Sequence, residues 1–289
     1  MSENSISFNS ICLVISRWPV DIITKVDNLR KYGNEPFNVV VVHGGPGASG
    51  EMAPVARELY IYGGILEPLQ TAISLERQVE ELKTVLENYG NIPVILIGHS
   101  WGAWLVFILA SQYPSLVKKL ILVGSGPFKE KYAIDIMKTR LNRLDEKDRS
   151  EAQSLMEILK DSAIEDENAV MTRLGKLISK ADSYCSLPDD SEPLECNYRI
   201  YQNVWQEADE LRRSGKLLKL GEKIQCPVVA IHGDYDPHPF EGVKNPLSQA
   251  IKDFRFILLK NCGHKPWIER SAKDRFYEIL KEELGYSHL

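Results

Sequence analysis

No apolar run in this chain is long enough to cross a membrane. The longest, Gly102–Ala110 (GAWLVFILA), is half of the roughly 18 residues a span needs and reads instead as a buried helix. Positive charge is not in excess either: 35 Lys and Arg face 40 Asp and Glu, a net charge of −5, which leaves no electrostatic footprint for a nucleic-acid backbone. Cysteine is sparse. Five residues (Cys12, Cys185, Cys196, Cys226, Cys262), an odd number with no C-x-x-C pair, argue against a disulfide framework or a zinc ribbon. The 19 Gly and 15 Pro are too few for a collagen-like or low-complexity chain, and 44% hydrophobic residues exclude general disorder. The N-terminus has no basic leader, and its apolar stretch Ile11–Ile15 is too short for a secretory signal, so the expected compartment is the cytoplasm.

At 289 residues the chain is long for one compact unit, and its pattern shows where the excess lies. Short β-branched apolar runs end abruptly in Gly, Ser, Asp or His at Asn38–Gly47 (NVVVVHGGPG), Pro93–Gly102 (PVILIGHSWG), Lys118–Pro127 (KKLILVGSGP) and Cys226–Asp236 (CPVVAIHGDYD), with a fifth at Asp253–His264. Such runs suit strands buried on both faces of a parallel sheet. Helical patterns lie between them. Ser74–Tyr89 carries Leu75, Val79, Leu82, Val85 and Leu86 on one face behind a Ser74 cap; Trp101–Gln112 is apolar nearly all round; Ala272–Leu284 follows Ser271 as its expected cap. Strands alternating with helices predict an α/β fold with right-handed crossovers. From Pro127 to Leu220 the strand pattern stops, and stretches such as Lys138–Lys160 are helical and polar, with 16 basic and 19 acidic residues in the whole segment. A structureless loop of that length is implausible, so residues 127–220 are expected to form an inserted helical cap, and residues 1–126 with 221–289 the core.

Four segments carry chemistry. GHSWG (Gly98–Gly102) fits G-x-S-x-G between a strand and a helix, where the turn is too tight for bulky neighbours and would lift the Ser100 hydroxyl above the sheet. A serine hydroxyl needs a base, and a neutral imidazole has the suitable pKa. Of six histidines, His264 in NCGHKPW follows a strand that ends at the same sheet edge, whereas His99 lies on the wrong side of the sharp turn and His288 in a tail. The base needs a carboxylate, and HGDYDPHP (His232–Pro239) offers two after a strand; Asp236 reaches further into the loop, while Asp234 suits the turn. The same stretch provides a competing metal set, His232, Asp234, Asp236 and His238, although their alternation at a strand end makes convergence on one ion awkward. An oxyanion would need two backbone N–H groups: one is that of Trp101, and the other comes from HGGPG (His43–Gly47), where Gly44 and Gly45 permit close approach. The order Ser100, Asp236, His264 is that of α/β-hydrolase triads.

With HGGPG, GHSWG, a late Asp and a C-terminal His, the sequence resembles the α/β-hydrolase fold superfamily, nearest its prolyl aminopeptidase (proline iminopeptidase) branch. The resemblance implies a mostly parallel sheet flanked by helices under a helical cap. It implies Ser100 as nucleophile, His264 as base, Asp236 as its partner, and Gly45 and Trp101 as oxyanion donors. The activity implied is that of a metal- and cofactor-free hydrolase acting on a small ester, amide or peptide, the rival being a non-catalytic binding protein of the same fold. In one place the chain departs from that branch: Tyr62–Gln78 (YGGILEPLQTAISLERQ) stands where relatives carry an Asp-Gln-Arg-Gly-type segment that helps shape the pocket. An aminopeptidase also needs cap carboxylates for a free amine; Glu192, Glu195 and Glu207 are available, but in a segment with 19 acids solvated surface is the role expected of each. Pocket-lining aromatics are expected at Tyr198, Tyr201 and Trp205, spaced on one helical face, above Trp104; self-packing of the cap is the competing role for that stripe. The expected partner is a small-molecule or short-peptide substrate, with neither nucleic acid nor membrane; oligomeric state is not legible.

Overall fold

The computed structural model describes residues 23–26, 28–160, 164–188 and 196–286, so Cys12, Glu192, Glu195 and His288 lie outside the described residues. Eight strands form one sheet: β1 (Ile23–Val26), β2 (Leu29–Tyr32), β3 (Phe37–Val42), β4 (Gly64–Pro68), β5 (Val94–His99), β6 (Val117–Val123), β7 (Val228–Gly233) and β8 (Phe254–Leu259), in the order β1-β2-β4-β3-β5-β6-β7-β8. The pairs β1·β2 and β2·β4 are antiparallel and the rest are parallel. Val40, Leu96, Leu120, Val228 and Phe254 are successive partners across five strands, so the carboxyl ends of β3, β5, β6, β7 and β8 finish on one edge. All the motif loops leave from that edge.

The strands separate two cores by their period of two. Val40, Val42, Leu96, Leu120, Leu122 and Ala230 face one cluster, and Val39, Val41, Ile97, Ile121, Val123 and Ile231 face the other. Helices α2 (Leu75–Tyr89) and α3 (Trp101–Gln112) cover the first face, while α1 (Ala53–Leu59) and the C-terminal helix Lys273–Leu284 cover the second. Ser74 caps α2 by accepting the Arg77 N–H at 3.4 Å. The C-terminal helix differs from expectation: Ala272, not Ser271, holds its N-cap position, with no side-chain cap bond. Three strands, β1 (ITKV), β2 and β4, lack a continuous apolar run. Strand β2 (LRKY) is partly exposed beside the edge, and β4 carries Glu67, buried and bonded to the Tyr32 hydroxyl at 2.5 Å.

Between β6 and β7 lie α4 (Ile136–Arg143), α5 (Glu146–Ile158), α6 (Glu167–Asp182), α7 (Tyr198–Arg213) and α8 (Lys216–Lys219). The insertion does not behave as one piece. Helices α5 and α6 enclose a small core of their own with Leu144 (Ala152, Leu174, Leu177, Ala181), whereas α7 packs Ile200, Val204 and Ala208 into the main core. After β7 comes α9 (Glu241–Ala250), and the C-terminal helix is α10.

Candidate active site

Ser100 is the single residue between β5 and α3, at φ 52° and ψ −112°, a left-handed conformation that costs a non-glycine residue about 1–3 kcal/mol. The turn persists because its neighbours have no side chains. A Cβ on Gly98 would lie 2.4 Å from the Gly102 carbonyl oxygen, and one on Gly102 would lie 2.4 Å from that of Val42. The Ser100 N–H is spent on the Val123 carbonyl at 2.9 Å, which leaves the next amide, that of Trp101, at the start of α3. Gly45 lies in the loop after β3 at φ +45°, and both Gly45 and Trp101 face the same cavity as Ser100.

His264 stands in the loop after β8, and its Nδ1–H donates to Asp236 Oδ2 at 2.7 Å. That bond fixes the tautomer, leaving Nε2 with its lone pair. The other oxygen of Asp236 accepts from His238 twice, from the backbone N–H at 2.9 Å and from Nδ1–H at 2.8 Å. Burial pushes the Asp236 carboxyl up, but the imidazoles of His264, His238 and His232 outweigh it and hold the group well below the usual carboxylate range. Burial pushes His264 down; the adjacent Asp236 reverses this and leaves its pKa above the ordinary value. His238 is pushed down to about 4, mainly by burial, and so is neutral at pH 7. Asp234 turns elsewhere, accepting the Cys262 N–H at 3.3 Å and facing Lys260. The four alternating residues therefore do not converge on one ion. Asp236, His238 and His264 do bring ligand atoms within 4.8 Å of one another, while Nδ1 of each histidine is engaged with Asp236.

A second carboxylate, silent in the sequence, holds the motif loops together. Glu51 Oε2 accepts the Gly44 N–H at 3.0 Å and lies 3.0 Å from His99 Nδ1, and Glu51 Oε1 lies 2.7 Å from Lys265 Nζ. It thus joins the loop after β3 to the residues beside Ser100 and His264. His99 completes the tie with Nε2 3.1 Å from the His264 carbonyl. From the other side, the His264 N–H donates to the Asp182 carbonyl at the end of α6 (2.9 Å). Glu269, fully buried, accepts from Gly263 N–H at 2.9 Å and from Tyr184 and Cys185 N–H at 2.8 Å each.

A cavity of about 540 Å³ lies over Ser100 and His264, between the sheet edge and the inserted helices. Of the expected aromatics, Tyr201 and Trp205 line it. Trp104 and Tyr198 are set behind that lining: Trp104 stacks under Trp205 at 5.8 Å and donates to the Gly126 carbonyl, and Tyr198 stacks on Tyr201 at 6.3 Å with its hydroxyl on the Leu159 carbonyl. Glu207 is turned out of the cavity and accepts the Leu75 N–H at the start of α2. No residue of Tyr62–Gln78 touches the cavity among the described residues; that segment supports it from behind, where Gln78 Oε1 accepts the Trp101 indole N–H at 3.3 Å. Arg140 of α4, clamped to both oxygens of Asp182 at 2.8 and 2.7 Å, lines the cavity as well. Periodicity gave no signal for that pair, because its members lie 42 residues apart on different helices.

The fold is shared with known proteins. The chain is 23% identical over 278 residues to the proline iminopeptidase of Saccharolobus solfataricus, covering 85% of this chain and 84% of that one. It is 24% identical over 268 residues to the proline iminopeptidase of Thermoplasma volcanium, covering 85% and 88%. Among solved structures it resembles VinJ (TM-score 0.61, 16% identity, 92% of this chain and 98% of that one) and the monoacylglycerol lipase of Paleococcus ferrophilus (TM-score 0.56, 18% identity, 89% and 97%). The alpha/beta hydrolase fold family matches residues 64–271. This chain therefore belongs to the α/β-hydrolase fold family, as a hydrolase near its prolyl aminopeptidase branch.

Proposed function

We propose that this protein is a serine hydrolase that works through an acyl-enzyme on a small ester, amide or peptide, with Ser100, His264 and Asp236 as its triad. The observation that carries the reading is the strained Ser100 turn facing the same cavity as a His264 whose tautomer Asp236 has already set. His264 Nε2 takes the Ser100 proton as Oγ bonds to the substrate carbonyl carbon, and the backbone N–H groups of Gly45 and Trp101 receive the oxyanion. Collapse expels the leaving group with that proton. Water, deprotonated by the same imidazole, then releases the acid and restores Ser100. Residues 127–220 act as the cap, and Tyr201 and Trp205 form the apolar side of the pocket. The cytoplasm is the compartment proposed, in keeping with the free cysteines 185, 196, 226 and 262.

An activity-based fluorophosphonate probe tests the reading. It is expected to label the wild type at Ser100 and not to label Ser100→Ala, with attachment located by peptide mass spectrometry. Equal labelling of both forms would remove Ser100 from the mechanism, and labelling of neither would favour a non-catalytic binding protein.

A further inference from the structure

The charged groups on the cavity wall differ in whether a partner already engages them. Three carboxylates reach the cavity, Glu51, Asp182 and Asp209, and each is already engaged. Glu51 is held by Lys265, His99 and the Gly44 N–H; Asp182 gives both oxygens to Arg140; Asp209 pairs with Arg212. Glu207 is spent on α2. Among the described residues, then, no carboxylate is left to receive a substrate ammonium group. The cations are placed differently. A guanidinium offers five N–H donors in two forks. Asp182 occupies the side fork of Arg140, through Nε and Nη2, and the end-on fork, Nη1 with the second Nη2 proton, has no acceptor among the described residues. Lys176, exposed at the same cavity, has no counter-ion among the described residues.

An end-on fork matches the two oxygens of a carboxylate, and such paired bonds are about twice as strong as neutral ones. We propose that the substrate is an ester or amide bearing a carboxylate, which sits on the open end-on fork of Arg140 with Lys176 as the nearby balancing charge. This rests on the hydrolase reading of the same cavity, and deepens it by assigning the class of substrate. The Arg140–Asp182 pair stays intact: Asp182 fixes the guanidinium plane, so the fork is oriented before the substrate arrives.

The test compares matched esters that differ in one charge. Mono-p-nitrophenyl glutarate is set against p-nitrophenyl pentanoate for an acyl-side carboxylate, and 4-carboxyphenyl pentanoate against 4-carbamoylphenyl pentanoate for a leaving-group carboxylate. In the wild type, the anionic member of one pair is expected to be favoured by about 10-fold or more in kcat/KM, the scale of a charge-assisted hydrogen bond. That ratio is expected to fall to near one in R140Q/D182N, which removes both charges together and so leaves no buried charge alone. It is expected to fall by a smaller factor in exposed K176Q, which does not depend on refolding the buried pair. Proline p-nitroanilide, with its free amine, is expected to be the poorest substrate of the panel.

No anionic preference in either pair, or a preference that survives R140Q/D182N, would overturn the proposal. Calorimetric binding of glutarate against pentanamide to Ser100→Ala separates the two readings, since it needs no turnover. Glutarate binding without fluorophosphonate labelling of the wild type would leave the carboxylate seat and remove the hydrolase. Labelling of the wild type without either preference would do the reverse.

Discussion

On the sheet side of the cavity, Ser100, Gly45 and Trp101 are fixed by main chain: a positive φ, glycines too close to neighbouring carbonyls to carry a Cβ, and amides at a helix start. On the helical side, position is held by side chains, the Arg140–Asp182 clamp and the stack of Tyr201, Trp205 and Trp104. The contrast teaches where change is tolerated. A backbone-built wall admits almost no substitution, whereas a wall built of side chains can be repacked without disturbing the strands beneath it. On the proposed reading, chemistry belongs to the first wall and selection to the second.

The sharpest break in that comparison is at the carboxylate behind the base. Asp236→Asn is expected to lower kcat by about 10⁴-fold by spoiling the His264 tautomer, while Asp234→Asn, whose carboxylate meets Cys262 N–H and Lys260 rather than His264, should cost far less. If Asp234→Asn is the inactive variant, with both proteins folded, the assignment is reversed.

Two glycines set the walls directly against each other. In Gly102→Ala the new methyl meets the Val42 and His43 carbonyl oxygens at 2.4 and 2.5 Å, and urea unfolding should show a loss of about 3 kcal/mol or more. Gly175, within α6 at the cavity, has nothing within 4 Å of the added atom, so Gly175→Ala should gain about 0.5–1 kcal/mol from helix propensity. Equal effects at the two sites would erase the distinction.

Tyr201→Ala and Trp205→Ala should each change the kcat/KM ratio between short and bulky esters by about 10-fold, the scale of lost pocket contact. An unchanged ranking in two stably folded variants would make the stack structural only.

The smallest effect expected is on pH dependence. His264 must be neutral to take a proton, and Asp236 holds its pKa above the ordinary value, so kcat/KM should fall as pH drops through that raised value. Asp182 also raises it and Arg140 lowers it. His238→Leu removes the imidazole bond to Asp236 Oδ1 and leaves more negative charge facing His264, so the acid limb should move to higher pH. His238→Asn, which keeps a donor near the Nδ1 position, should move it back; a limb indifferent to both changes would make His238 packing alone.

Much of the sheet-side wall was legible because its requirements are local. A strand, a tight turn and a helix start leave their mark within five residues at Gly98–Gly102, and the distance from a strand end was enough to prefer Asp236 over Asp234. The helical wall left no such mark. Arg140 and Asp182 meet only after α4 and α6 pack, and Glu51 becomes a hub only when three loops converge on it. Strands β2 and β4 escaped for a related reason: near the antiparallel edge, burial depends on a neighbour rather than on a run of apolar residues.

Glu269 bears on how anything gets in. Its carboxylate grips the segment leaving α6 through the Tyr184 and Cys185 amides and the histidine loop through Gly263, and it has no exposed surface. Peeling that corner apart would leave a buried carboxyl group without two of its three donors, a cost of about 1–3 kcal/mol for each unmade bond. The corner is a fixed hinge post, strengthened by Leu187 on the Ile268 carbonyl and Arg270 on that of Cys185. Opening of the cavity is therefore expected away from this post, and on the proposed reading Lys176, exposed at the cavity, offers a carboxylate-bearing substrate a positive charge on the wall.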